Sequence, residues 1–73
     1  MHNLMIAPIP PPDGVLFAIH TRLNKPRVLW WGGEERGWVE NPYQNQAKLY
    51  KKSEAQEEIE RGEIQKWLPP EYR

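Results

Sequence analysis

The run RVLWWGGEERGWV, from Arg27 to Val39, holds three of the four tryptophans and three of the five glycines, and the rest of the chain is arranged around it. Val28-Leu29-Trp30-Trp31 is a β-branched and aromatic stretch, which predicts a strand. Gly32-Gly33 breaks it and permits positive φ. Glu34-Glu35-Arg36 forms a polar tip, and after Gly37 the pair Trp38-Val39 predicts a second strand. The connection, about five to six residues, suits a hairpin loop. A period of two sends Trp30 and Trp31 to opposite faces. One enters the core, and the other is covered by another element or stays at the surface. The pattern does not choose between them.

Upstream, VLFAIHTR (Val15 to Arg22) alternates. Val15, Phe17 and Ile19 share one face; Leu16, Ala18 and His20 share the other. Both faces begin apolar, as in a central strand or one covered by an N-terminal arm. Pro12-Asp13-Gly14 is a turn signal, and Leu23-Asn24-Lys25-Pro26 reads as a hairpin loop. Residues 15–39 therefore predict a three-stranded antiparallel meander. Residues 1–12 carry four of the eight prolines. Pro10-Pro11-Pro12 is extended, and Leu4, Met5, Ile6 and Ile9 point to partial packing of this arm on the domain. The tract lacks a flanking basic residue, which argues against a polyproline ligand.

Downstream, Asn41-Pro42 ends the third strand and Tyr43 to Gln46 is a polar loop. Ala47 to Tyr50 is a short strand or the lead-in to a helix. Ser53 and Gln56 fit a capping box, and Glu54, Glu57 and Glu58 suit a helix N-terminus. Ala55 and Ile59 form a narrow apolar stripe, and Gly62 is a good C-terminal stop. A helix over 53–61 is too short to stand alone and must pack on the sheet. Glu57 and Arg61 have the spacing of a surface ion pair. In Glu63 to Leu68, strand spacing opposes Trp67 to Ile64 and Leu68, whereas helical spacing joins all three; the expectation adopted is a short final strand. Pro69-Pro70 ends regular structure. The expected organisation is a proline-rich arm (1–12), one α+β domain (13–70) and a tail (71–73). The domain is a three- or four-stranded antiparallel sheet with one short helix packed on it.

Composition narrows the function. A chain of 73 residues is one domain at most, with a small core. It has no cysteine, hence no disulfide and no thiolate metal site, while four tryptophans supply apolar area. Ten basic residues balance ten acidic ones. Up to Trp31, three bases against one acid give +2; from Gly32 on, seven bases against nine acids give −2. Neutrality gives no long-range pull on nucleic acid or an anionic membrane. No apolar run is long enough to span a membrane, and MHNLMIAPIPPP lacks a basic n-region, so a soluble cytoplasmic protein is expected.

Catalytic chemistry finds few residues to use. The histidines are His2 and His20, and Ser53 is the single serine. A metal site, a triad and a phosphate-cradling glycine loop are all missing, so neither a cofactor nor enzymatic activity is expected. Binding is the class that remains. Trp31, Arg36, Trp38 and Tyr43 are the candidate contact residues, since Trp, Tyr and Arg dominate interface hot spots. The partner expected is a host protein or nucleoprotein complex. The rival is a single-stranded nucleic-acid binder that stacks bases on Trp30 or Trp31, Trp38 and Tyr43 beside Arg22, Lys25, Arg27 and Arg36. A homodimer burying the spare tryptophan is a third reading. The glutamates Glu54, Glu57, Glu58, Glu60 and Glu63 read as a solvated helix face.

One resemblance adds to this. GWVENPYQNQAKLYKKSEAQEEI (Gly37 to Ile59), about a third of the chain, resembles a pattern of small phage- and prophage-type proteins. In that pattern a strand ending in Trp-Val precedes Ala-Lys-aromatic and a capped helix. The matching residues are Trp38, Val39, Ala47, Lys48, Tyr50, Ser53 and Ala55. The resemblance implies an inhibitor or adaptor of a host protein, of the anti-CRISPR kind, in the host cytoplasm. It transfers no functional residue.

Overall fold

Residues 4–10, 12–21, 27–40 and 47–72 are described by the structure, a computed structural model. His2, Arg22, Lys25, Tyr43 and the predicted loop 23–26 lie outside them. The chain forms one antiparallel sheet in sequence order: β1 (Leu4–Ile9), β2 (Leu16–Thr21), β3 (Leu29–Trp31) and β4 (Trp38–Glu40). A single helix, α1 (Lys52–Arg61), covers one face. This is the expected α+β arrangement with the sheet at four strands.

The fourth strand comes from the proline-rich arm. Residues 4–9 pair with β2 along their whole length, from Leu4 opposite Thr21 to Ile9 opposite Leu16. Proline tolerates this position because β1 is an edge strand. Pro8 lies opposite Phe17, whose N–H and C=O are turned away to Tyr50 at 2.7 and 2.8 Å. The nitrogen of Pro8 therefore faces outward, where no ladder bond is lost, and it blunts the edge against further pairing. The turn from β1 to β2 requires Gly14: a Cβ there would fall 2.2 Å from the backbone of Ile9.

The β3–β4 hairpin closes as its glycines predict. Gly32 N–H donates to Gly37 C=O and Gly37 N–H to Gly33 C=O, both at 2.7 Å, with φ of 89° at Gly33 and 66° at Gly37. The segment at Tyr50 makes an isolated bridge to Phe17, and Lys48 N–H donates to Trp31 C=O at 2.9 Å. It thus prolongs the sheet before the chain turns into α1.

Three expectations are corrected. The helix begins one residue early, at Lys52, so Ser53 is inside the first turn and not its cap; Glu54 carboxylate instead accepts the Lys51 N–H at 3.2 Å. Arg61 reaches Glu58 at 3.7 Å, not Glu57. Residues 64–67 form a 3-10 turn and not a strand, because Gly62 in the left-handed region (φ 78°) turns the chain back over the sheet. Ile64 and Leu68 then enter the core. The tail also belongs to the fold. Pro70–Tyr72 is a second 3-10 turn, and buried Tyr72 donates its hydroxyl to Arg27 C=O at 2.7 Å and accepts from Arg27 N–H at 3.1 Å.

The core lies between the sheet and the helical segments. Leu4, Ile19, Leu29 and Trp31 from the sheet meet Ala55 and Ile59 of α1, with Tyr50, Ile64, Leu68 and Tyr72. Gly62 ends α1 as expected, and Ala55 and Ile59 are its buried stripe.

Candidate functional site

The tryptophan doublet divides as a period of two requires. Trp31 is 2% exposed and lies in the core; Trp30 is half-buried on the opposite face. The indole N–H of Trp31 donates to the Tyr50 hydroxyl at 3.0 Å, and that hydroxyl lies 3.2 Å from Glu58, to which it donates. Burial, with the Glu58 carboxylate beside it, pushes the Tyr50 phenol up to about 12. The hydroxyl is thereby kept protonated, able to accept from the indole and donate to the carboxylate at once. Lys48 Nζ lies 5.3 Å from the Tyr50 ring centre.

Trp31 contacts two further indoles, Trp38 at 5.4 Å and Trp67 edge-on at 5.6 Å. Trp38 is half-buried and spends its N–H on Ile64 C=O at 3.0 Å. Trp67 is 53% exposed although its edge contact with Trp31 holds it in place. Its ring lies over the backbone of Gly37, where an added Cβ would meet it at 3.9 Å. The exposed Arg36 is the residue before that glycine. An exposed indole thus lies against Trp31 and over the hairpin turn at Gly37, next to the exposed residue Arg36 in sequence.

Among the proposed contact residues, then, Trp31 has no surface to give a partner, and the sequence reading is corrected at that position. Trp38 offers part of one face, and Arg36 is exposed. Tyr43 lies outside the described residues. Trp67 is the residue the strand reading left aside. Its signal was already present, since strand spacing set it opposite the apolar pair Ile64 and Leu68, although the backbone there is a 3-10 turn.

The other face of the sheet is a second surface. His20 stands opposite Met5 on one side and Trp30 on the other, and Trp30 stands opposite Val39. Met5, His20, Trp30 and Val39 therefore form a row across all four strands. Ala7 beside Ala18 and Ile9 beside Leu16 extend it. The His20 and Trp30 rings lie 4.7 Å apart, tilted by 40°, and Nδ1 of His20 lies 2.9 Å from Thr21 C=O. Met5 is 43% and Leu16 37% exposed, and the remainder are half-buried apart from Ala18. Every buried side chain of α1 and the 3-10 turns lies in the core on the opposite side.

The basic residues expected to hold phosphates are partly engaged. Arg27 Nη1 is 2.9 Å from Glu40 Oε2, and Arg36 follows the exposed Glu34 and Glu35. Among the described residues, no group of three His, Asp or Glu could hold a metal ion, and no helix is long and apolar enough to cross a membrane. No family model matches the chain, and no curated protein or solved structure is similar to it.

Proposed function

We propose that this chain is a non-catalytic protein-binding module that engages its partner through Trp67, Trp38 and Arg36. The observation that carries this reading is Trp67, 53% exposed yet fixed against Trp31 on a short 3-10 turn. An exposed indole packed against a second ring, over a hairpin turn that carries an exposed arginine, has the character of a binding hot spot, where large contact area comes at low cost in side-chain entropy. In this reading the partner is a host protein whose action the module blocks or modulates, as the resemblance to small phage-type inhibitors implies. Neutral net charge and the Arg27–Glu40 pair weigh against a nucleic-acid partner.

The test is capture of a partner from nuclease-treated host lysate by the immobilised chain, in moderate salt. A stoichiometric protein is expected on the unmodified chain. Trp67→Ala is expected to weaken its binding at least about tenfold, with a smaller loss for Arg36→Ala and an unchanged circular dichroism spectrum for both. Undiminished binding by the double variant, or recovery of nucleic acid alone that nuclease abolishes, overturns the proposal.

A further inference from the structure

Trp67, Trp31, Tyr50 and Glu58 make an unbroken line from the surface into the core. Trp67 is 53% exposed, and its ring meets the Trp31 ring edge-on with centroids 5.6 Å apart. The Trp31 indole N–H donates to the Tyr50 hydroxyl at 3.0 Å, and that hydroxyl donates to Glu58 Oε2 at 3.2 Å. Packing alone accounts for rings in contact. It does not account for their order, which runs exposed indole, buried indole, phenol, carboxylate. In a chain without cysteine, indole and phenol are the side chains that give up one electron most readily. A phenol does so readily when its proton has a base to go to, and Glu58 is such a base.

We propose that this line is a path for one-electron oxidation, entering at Trp67 and ending at Tyr50, with Glu58 taking the phenolic proton. The oxidant is a radical that meets the exposed indole from solution. It takes one electron from the Trp67 ring and leaves an indole radical cation. An electron from Trp31 refills Trp67, and an electron from Tyr50 then refills Trp31. As Tyr50 loses its electron its O–H bond breaks, and the proton passes to the Glu58 carboxylate. The net change is one electron gained by the oxidant, a neutral tyrosyl radical and a protonated Glu58, with both indoles restored.

Burial sets the direction. Trp31 is 2% exposed, so a radical cation there is a positive charge in the core, which is costly. Transfer from Tyr50 cancels that charge against the Glu58 carboxylate and leaves two neutral groups. The Trp31 N–H is aimed at the hydroxyl and not at water, so the indole keeps its proton while the electron moves. Burial and Glu58 push the phenol up to about 12, so its proton is in place at neutral pH. Arg61, 3.7 Å from Glu58, is the other charged partner of that carboxylate. Trp38, 5.4 Å from Trp31, is a second entry to the same path. Tyr50 and Glu58 also line an open cleft of about 360 Å³ with Lys48, Glu57 and Arg61. There a small ene-diol or thiol reductant returns an electron to the tyrosyl oxygen, and Glu58 returns the proton. The path thus drains oxidation away from Trp67, whether or not that residue touches a partner.

Pulse radiolysis with the azide radical tests this, because that radical attacks indole in preference to phenol at neutral pH and the two product radicals absorb in separate bands. The expected result is decay of the indole radical matched by growth of the tyrosyl radical. The rate is expected to be first order, independent of protein concentration and slower in heavy water. Tyr50→Phe is expected to prolong the indole radical and remove most of the matched growth. Glu58→Gln keeps an acceptor without a base, and is expected to slow transfer at least about tenfold, as loss of a positioned proton acceptor does. It serves if Tyr50→Phe does not fold. Entry at Trp67 is read by peptide mass spectrometry after steady generation of the same radical in aerated buffer with ascorbate, where Tyr50→Phe is expected to gather oxygen adducts on Trp67 several-fold faster than the unmodified chain. Four outcomes overturn the proposal: no intramolecular tyrosyl growth in the unmodified chain, undiminished growth in a folded Tyr50→Phe, an unchanged rate in Glu58→Gln, or equal adduct formation on Trp67.

Discussion

Trp30 and Trp31 are consecutive residues of one short strand, and the two sides of the sheet treat them differently. On the helix side Trp31 is enclosed: its N–H has a partner, that partner has a further partner in Glu58, and two more indoles touch its ring. On the far side Trp30 has one recorded ring contact, His20, and remains half-exposed. Residue type is identical and backbone position nearly so. The difference lies in what lies above each face: among the described residues, the buried side chains of α1 and the 3-10 turns all lie on the Trp31 side. The covered face is specified by polar partners as well as by burial. The open face is specified by strand alternation alone, which leaves its chemistry free to serve contact with another molecule.

The sharpest way to break this comparison is to truncate each tryptophan in turn. Trp31→Ala removes a buried indole and leaves the Tyr50 hydroxyl without its donor. Such losses cost about 3–5 kcal/mol. A small domain has stability on the order of 5 kcal/mol, so this variant is expected to keep only about 0–2 kcal/mol in water at 25 °C. Urea denaturation followed by circular dichroism measures it. A loss below about 1 kcal/mol would mean that Trp31 is not the centre of the core.

Tyr50 distinguishes the faces by pH. Its ordinary value of 10.0 is raised to about 12 by burial and by the Glu58 carboxylate. In the unfolded chain the phenol ionises first, so above pH about 10 protons are lost more readily from the unfolded state. Stability linked to this group is fully present below pH 10 and is lost as pH climbs from about 10 through about 12. The loss is on the order of 3 kcal/mol, at about 1.4 kcal/mol for each pH unit of that window. Urea midpoints of the unmodified chain and Tyr50→Phe across this window check it. The variant is expected to be about 1–3 kcal/mol weaker at neutral pH, where the Trp31 N–H loses its acceptor. Its further alkaline decline is expected to be smaller than that of the unmodified chain. Parallel declines would show that the Tyr50–Glu58 contact does not persist in solution.

How much of this the chain announces depends on the kind of interaction. The meander and the hairpin turn follow from Trp30-Trp31, from Trp38-Val39 and from glycines at positions that need positive φ. The end of α1 follows from Gly62 for the same reason. These are local signals, and local physics decides them. The first strand is masked by Pro8 and Pro10, because a proline on an outward edge reads the same as a proline in a loose arm until the partner strand is known. The segment 64–68 fits both periods over so short a span, and a tertiary constraint, the packing of Ile64 and Leu68 into the core, selects the 3-10 turn. Tyr72 is the least legible of all. Its two bonds to Arg27 span 45 positions in sequence, and no local pattern marks a residue near the end of the chain as an anchor. The candidate contacts divide likewise: the exposure of Arg36 at the hairpin tip was legible, whereas the burial of Trp31 depended on which face the helix covers.

The smallest effect belongs to the face turned away from α1. Trp30→Ala removes a half-exposed ring that meets one tilted imidazole. Such a pair is worth about 0.5–1.5 kcal/mol beyond the area it buries, and the area lost here is partial. In dilute protein the expected cost is therefore about 1 kcal/mol, several-fold below that of Trp31→Ala. Urea midpoints of the two variants in dilute protein check this ratio. A Trp30→Ala deficit equal to that of Trp31→Ala would mean that the far face is covered after all.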